Sequence, residues 1–154
     1  MSEPANLNPT VATEAPAINT DSDDSCRQAE PSLSLGMIGN CAFSALVDGR
    51  GRIVWCCMPR FDGDPVFNAL LDTSDNAGHF NSEIEDFHEA TQWYEPNTAV
   101  LRTRLIDRHG GCLEITDFCP RFFRLGRYFR PLTLVRRIRP IHGAPRVRVT
   151  VAPR

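Results

Sequence analysis

The residue types best suited to chemistry in this sequence lie in one short loop, Arg60-Phe61-Asp62, which follows an apolar segment and Pro59. Arginine and aspartate can hold sugar hydroxyls through charge-assisted hydrogen bonds, and an exposed phenyl ring can stack on a pyranose face. Loops carried by a rigid scaffold often hold functional groups, so these three residues are candidates for the rim of a substrate site. The alternative, which we prefer, is an ion pair from Arg60 to Asp62 or Asp64 that only fixes the loop or a domain interface.

The spacing of residue types gives little support to metal or nucleophilic chemistry. The four histidines are scattered and no Cys-x-x-Cys pair occurs, so we expect no metal site and no cofactor in this chain. No phosphate-binding loop, Gly-x-Ser-x-Gly, His-Glu-x-x-His or dinucleotide motif is present. Without a secretory signal a disulfide framework is not expected, and most of the six cysteines are predicted to be small core residues: Cys26, Cys41, Cys56, Cys57, Cys112 and Cys119.

Positive charge is concentrated towards the C-terminus. All 17 basic residues are arginines, and ten of them lie from Phe118 to Arg154, a segment without a carboxylate. A basic block of this kind can bind nucleic acid. However, the arginines at 136, 137, 139, 146 and 148 fall on predicted strands without interleaved aromatic residues, so we predict no nucleic-acid binding. The block is expected to form a solvent-exposed face or an interface with another domain.

Two further positions have weaker functional claims. Trp93 and Tyr94 could stack on a carbohydrate, but neighbouring residues in a strand point to opposite faces, so we predict that they do not form one platform. Asp117 closes a predicted strand, where a carboxylate usually caps or pairs locally.

The length and composition fit one globular domain preceded by a tail. The chain has 154 residues and 42% hydrophobic residues, and no apolar run approaches the roughly 20 residues that span a bilayer. Residues 1–30 carry six acids and no aromatic residue, so we predict a disordered tail there and one domain over residues 31–154. The N-terminus lacks the basic and apolar regions of a secretory signal, which predicts a cytoplasmic protein without membrane contact.

Alternating apolar and polar residues predict an antiparallel β-sandwich of seven or eight strands. The predicted strands are 42–48, 52–58, 78–84, 88–95, 98–107, 112–118, 132–139 and 146–151. The last two are expected to form a hairpin, and residues 119–131 are expected to form an aromatic, arginine-rich loop. Asp64-Pro65 is typical of a helix start, so one short helix is predicted over residues 65–71.

The ordered part resembles the N-terminal β-sandwich domain, similar to a supersandwich, of bacterial glycoside hydrolase family 15 proteins, the glucoamylase and trehalase-like group. The segments that carry the resemblance occur in family order: IGNCAFSALVDGRGRIVWCCMPRFD, DPVFNALLD with AGHF, WYEPNTAVLRTRL, GGCLEITDFCPR and LVRRIRPIHGAPRVRVTVAPR. Gly63 departs from the pattern, since serine is usual after the Arg-Phe-Asp triplet.

The resemblance implies an inverting exo-glucosidase acting on α-linked glucosides, with two catalytic glutamates on an (α/α)6 barrel that follows the sandwich. Inversion requires two carboxyl groups about 6.5–9.5 Å apart. We expect that barrel to be the partner of this domain, an α-glucoside to be a possible ligand at the Arg60 loop, and the chain to be a non-catalytic fragment. Its own glutamates are expected to be solvated: Glu83, Glu85, Glu89, Glu95 and Glu114. The alternative is a free-standing β-sandwich module that binds carbohydrate or an acidic partner.

Overall fold

A computed structural model describes residues 33–74 and 76–154, so the predicted tail over residues 1–30 lies outside the described part. Twelve β-strands and no helix occur among these residues. The first six strands are β1 Gly36–Gly39, β2 Ser44–Val47, β3 Ile53–Cys57, β4 Pro65–Phe67, β5 His79–Ile84 and β6 Phe87–Tyr94. The others are β7 Leu101–Asp107, β8 Cys112–Phe118, β9 Phe122–Arg124, β10 Arg127–Phe129, β11 Val135–His142 and β12 Val147–Ala152.

The strands form two antiparallel sheets and a separate hairpin. Sheet A has the order β1-β2-β3-β5-β12, and β4 also pairs with β3. Sheet B has the order β11-β8-β7-β6, and β9 pairs with β10. This arrangement confirms the predicted all-β antiparallel class. In the described residues there is no helix long and apolar enough to cross a membrane.

The two sheets enclose the core because their facing strands alternate buried and partly exposed residues. On β7 the buried positions are Leu101, Thr103, Leu105 and Asp107, with half-buried residues between them, which is the period of a strand with one buried face. One apolar cluster joins Ile38, Phe43 and Ile53 of the sheet A region to Leu101 of sheet B. A second joins Ile84 of sheet A to Leu105, Leu113 and Ile115 of sheet B.

Arg136 is the main polar link between the sheets. Its guanidinium lies in the core, with its side chain only 2% exposed, and makes a bidentate pair with Asp117 at 2.8 Å for both Nε–Oδ1 and Nη2–Oδ2. It also donates to the carbonyl oxygens of Gly51 and Phe80 and lies near Ser82 Oγ, all in or beside sheet A. The prediction that Asp117 pairs locally is therefore wrong, because its partner lies on β11 and is shared with sheet A.

The predicted helix over residues 65–71 is also wrong. Pro65–Phe67 forms β4, which pairs with the end of β3, and residues 68–71 continue as turns. Asn68 decides this conformation: its Oδ1 accepts the Gly78 N–H at 2.7 Å, and its backbone N–H and that of Ala69 donate to the Gly78 carbonyl. These bonds to a distant glycine use backbone groups that a helix would have to pair internally.

Two further sequence expectations need correction. The last two strands do not form a hairpin, because β11 pairs with β8 in sheet B while β12 pairs with β5 in sheet A. The aromatic segment after β8 is not an irregular loop, because it contains the β9–β10 hairpin. A first edge strand, β1, was not predicted from the sequence.

Candidate functional site

The Arg60 loop, residues 58–64, is held between two paired strands. Strand β3 ends at Cys57, and β4 turns back so that Pro65 lies opposite Cys57, with a bulge between Cys56 and Cys57. Within the loop the Gly63 N–H donates to the Arg60 carbonyl at 3.1 Å, which closes a turn, and the Met58–Pro59 peptide bond is cis. The strands therefore fix the position of the loop at one end of the sandwich.

Inside the loop, Arg60 is paired with Asp62. Arg60 Nε donates to Asp62 Oδ1 at 2.9 Å and Nη2 donates to Oδ2 at 3.0 Å, and both side chains are exposed. The pair is with Asp62 rather than Asp64, which is one of the two pairings that the sequence left open. Phe61 is 57% exposed between them. The loop thus presents a neutralised ion pair and a free ring face, which suits contact with a sugar or with another protein surface.

The β9–β10 hairpin lies at the same end of the molecule. The turn before β2 contains Asn40, and β2 pairs with the end of β3 through Ala45 and Cys56. Asn40 is buried, and its Nδ2 donates to the Pro120 carbonyl at 3.1 Å and to the Pro131 carbonyl at 2.8 Å. These two prolines bracket the hairpin, so one amide fixes both of its ends near the Arg60 loop.

The hairpin carries aromatic pairs on both of its faces. Phe122 stacks on Phe129 with ring centroids 5.5 Å apart, and Phe123 meets Tyr128 edge-on at 5.1 Å. Arg121 lies over Tyr128 and Arg127 lies over Phe129. The sequence predicts an aromatic, arginine-rich loop here and does not reveal the pairing of the rings. The signal that could have found it is Leu125-Gly126 between two short aromatic runs, since two residues with positive φ make a tight hairpin turn.

The outer face of sheet B contains a buried carboxylate. Glu114 is only 4% exposed, and arginines from both neighbouring strands surround it: Arg102 Nη1 at 3.0 Å, Arg139 Nη2 at 3.1 Å and Arg104 Nη2 at 3.5 Å. The expectation that Glu114 is solvated is therefore wrong. Burial acts to raise the pKa of Glu114, but the charges and hydrogen bonds of the three arginines outweigh it, so the pKa lies below its usual range.

Trp93 and Tyr94 lie on opposite faces of β6, which confirms that they form no common platform. Arg104 covers the Trp93 ring at 5.2 Å on the outer face of sheet B. The Tyr94 hydroxyl accepts a hydrogen bond from the Met37 N–H at 2.7 Å and donates one to the Met37 carbonyl at 2.9 Å. It thereby pairs two backbone groups of the edge strand β1. Both residues are used structurally.

The far end of the sandwich has a shallow polar groove, in which the exposed His109 Nε2 lies 3.3 Å from Asp86 Oδ2. It is lined in part by Glu85, Asp86, Asp107 and His109. Asp107 Oδ1 accepts the backbone N–H groups of His109 at 2.8 Å and Gly111 at 2.7 Å, so this carboxylate closes a turn. Nowhere in residues 33–74 and 76–154 do three or more His, Cys, Asp or Glu side chains group as metal ligands.

Comparison with known proteins identifies relatives of one kind. A family model described as trehalase-like, N-terminal, matches residues 25–154. Trehalase 1 of Sulfolobus acidocaldarius is 48% identical over 88 residues, which are 56% of this chain and 15% of that protein. The trehalase of Thermoplasma volcanium is 35% identical over 88 residues, 55% of this chain and 14% of that protein. The trehalase of Mycolicibacterium smegmatis is 32% identical over 88 residues, 56% of this chain and 13% of that protein. No solved structure matches the chain. The aligned stretch is thus a small part of each curated relative.

Proposed function

Since the chain belongs to the family of trehalase-like N-terminal domains, we propose that it is the non-catalytic support domain of a hydrolase acting on α-linked glucosides. The observation that carries the proposal is the pattern of the match. The family model covers all twelve strands of the described β-sandwich, while the alignments to trehalases cover only 13% to 15% of those proteins. The remaining length leaves room for a separate catalytic domain, for which an (α/α)6 barrel is our expectation.

The carboxylates of the sandwich support a role without catalysis. A glycosidase of the inverting kind needs an acid and a base that face each other across room for a water molecule. Of the three carboxylates that are buried in the described residues, Glu114 and Asp117 are held in ion pairs with arginine. Asp62 is paired with Arg60, and Asp107 closes a turn. These side chains are committed to structure and not to proton transfer.

A chimeric enzyme tests the support role. Residues 25–154 would replace the matching stretch of trehalase 1 of S. acidocaldarius, and a second variant would simply lack that stretch. We expect the deletion to lower glucose release from trehalose at least tenfold and the chimera to recover most of the loss. A deletion variant that retains full activity and stability would show that the domain supports nothing.

We also propose that the Arg60 loop touches the rim of the sugar site in the intact enzyme. An exposed ion pair such as Arg60–Asp62 contributes only about 0–1 kcal/mol to stability. A purely structural role would therefore leave activity almost unchanged when Arg60 is replaced.

The test is Arg60→Ala in the chimera, compared with Arg146→Ala. Arg146 is also exposed and lies 3.6 Å from Glu85 at the far end of the sandwich, so it is a matched control. We expect Arg60→Ala to lower kcat/KM for trehalose by about three- to tenfold and Arg146→Ala to have no effect. Equal kcat/KM values for the two variants would refute the proposal that Arg60 contacts the rim of the sugar site.

The second candidate function is a free-standing binding module, which the exposed Phe61 ring and the arginine-rich β9–β10 hairpin favour. Isothermal titration of the 154-residue chain with trehalose and maltose distinguishes the two functions. A support domain gives no binding heat, whereas a carbohydrate module gives a saturable heat.

The cytoplasmic location stays a prediction from the sequence.

A further inference from the structure

We propose that the β9–β10 hairpin is the arm by which this domain docks onto its catalytic partner, at a protein surface where apolar pockets are edged by carboxylates. This inference rests on the proposed function and adds the surface that makes the contact. The hairpin combines three features that together point to a partner: exposed apolar side chains, a rigid mounting and unbalanced positive charge.

The large apolar side chains of the hairpin are mostly exposed to solvent. Phe123 is 62% exposed and Tyr128 58%, and Leu125 at the tip is 83% exposed. Phe122 adds a third exposed ring beside them. Aromatic residues and arginine are the types enriched at protein interfaces, and they supply large contact areas with few rotatable bonds.

The hairpin is mounted rigidly although it protrudes. Both of its ends are tied to the buried Asn40 amide through the carbonyls of Pro120 and Pro131. Arg121 in addition lies 3.4 Å from Cys41 Sγ. A binding element that is already fixed in place loses little conformational entropy when a partner binds, which favours affinity.

The leucine at the tip of the hairpin lowers the stability of the fold. Leu125 has φ of 52° and Gly126 has φ of 75°, as a two-residue turn with positive φ requires. Glycine and asparagine adopt this conformation readily, whereas a leucine there costs about 1 kcal/mol or more. An exposed leucine at this position therefore has no structural reason, and a contact with a partner supplies one.

The charge of the hairpin indicates the chemistry of the partner. Arg121, Arg124, Arg127 and Arg130 lie in or beside it, and no carboxylate occurs from Phe118 to Arg154 to balance them. An acidic surface would complement this charge and speed association. A nucleic acid fits less well, because bases stack on open ring faces, and here arginines or other rings already lie against Tyr128, Phe122 and Phe129.

Docking through the hairpin would also bring the Arg60 loop to the same partner, because Asn40 fixes the hairpin at the end of the sandwich where β3 leads into that loop. One interface would then account for both the exposed β9–β10 hairpin and the exposed Arg60 loop.

Co-expression tests the proposal. The tagged 154-residue chain would be produced together with untagged trehalase 1 of S. acidocaldarius that lacks its matching stretch, and the amount of trehalase retained on the tag would be measured. The key variant is Leu125→Asn, and the matched control is Leu71→Asn, since Leu71 is 75% exposed in a different loop. The double variant Phe123→Ser/Tyr128→Ser removes one aromatic face.

We expect the wild-type chain and Leu71→Asn to retain the trehalase equally. We expect Leu125→Asn to raise the melting temperature of the isolated chain yet lower retention at least tenfold, and the double variant to lower it as much. Equal retention by all four chains would overturn the hairpin proposal while leaving the support role intact. Failure of the wild-type chain to retain the trehalase would instead refute the proposed support role. Binding of a labelled single-stranded RNA at physiological salt, lost in Leu125→Asn, would reassign the hairpin to nucleic acid.

Discussion

Replacing Arg136 by methionine tests how the two sheets are held together. In the folded domain Arg136 donates two charge-assisted hydrogen bonds to Asp117 and also reaches acceptors at Gly51, Phe80 and Ser82. Its guanidinium additionally lies 4.5 Å from the centre of the Phe80 ring. Methionine keeps most of the side-chain volume but none of these bonds, and it leaves the Asp117 carboxyl buried without a counter-ion.

The expected loss of stability follows from that burial. Removing one partner of a buried ion pair typically costs about 3–5 kcal/mol, because the remaining charge stays desolvated or must take up a proton. Burial already raises the pKa of Asp117, against the opposing effect of Arg136, so the loss of Arg136 would raise that pKa further. For a domain of this size about 1 kcal/mol shifts the melting temperature by roughly 3–5 °C. We therefore expect Arg136→Met to lower it by about 10–20 °C.

The assay is urea and thermal unfolding followed by circular dichroism. Arg137→Met is the matched control, since Arg137 is the next residue on β11 and is exposed on the outer face of sheet B, where such a change usually costs less than about 0.5 kcal/mol. The double variant Asp117→Leu/Arg136→Met should recover much of the loss, because it removes both charges. A difference of less than about 1 kcal/mol between Arg136→Met and Arg137→Met would refute this account of the link.

Two further predictions concern the titrating groups. The unfolded Glu114 carboxyl titrates near 4.5 and the folded one lower, so its stabilisation is complete above about pH 4.5 and is lost as the pH falls through the folded pKa. Glu114→Gln should therefore destabilise the domain by about 1–3 kcal/mol at pH 7 and progressively less towards pH 3 in urea unfolding, and a gap that stays constant would contradict the pairing. Burial raises the pKa of Cys56 to about 11 and that of Cys119 to about 12. Iodoacetamide at pH 8 should thus label the exposed Cys41 and spare these two in the folded chain, and peptide mass spectrometry showing equal labelling would contradict their burial.

The parts of the fold that sequence reasoning found are those with a local pattern. Strands β2, β3, β5 to β8, β11 and β12 show apolar alternation or β-branched runs bounded by turn residues, and all of them are present, although β11 and β12 do not pair with each other. The helix prediction over residues 65–71 failed for a non-local reason. Asp64-Pro65 suits a helix start, but the outcome depends on the bonds between Asn68 and Gly78, which no local pattern reveals.

The electrostatic features were missed because they depend on strand register. Glu114 alternates with Leu113 and Ile115 and does face outward from sheet B, but Arg104 and Arg139 lie directly opposite it on the two neighbouring strands. Likewise Arg136 looked like one member of an exposed basic strand, whereas its register places it opposite Asp117 on the inner face. For the Arg60 loop the sequence supplied the residues and the two possible ion pairs, and the structure selected Asp62.

The most direct test of the central claim is glucose release from trehalose by the purified 154-residue chain alone. A non-catalytic support domain predicts no release above the buffer control, at any pH from 4 to 8 and at high protein concentration. Release that scales with the amount of folded chain would contradict the account, because it would require a catalytic acid and base within this sandwich.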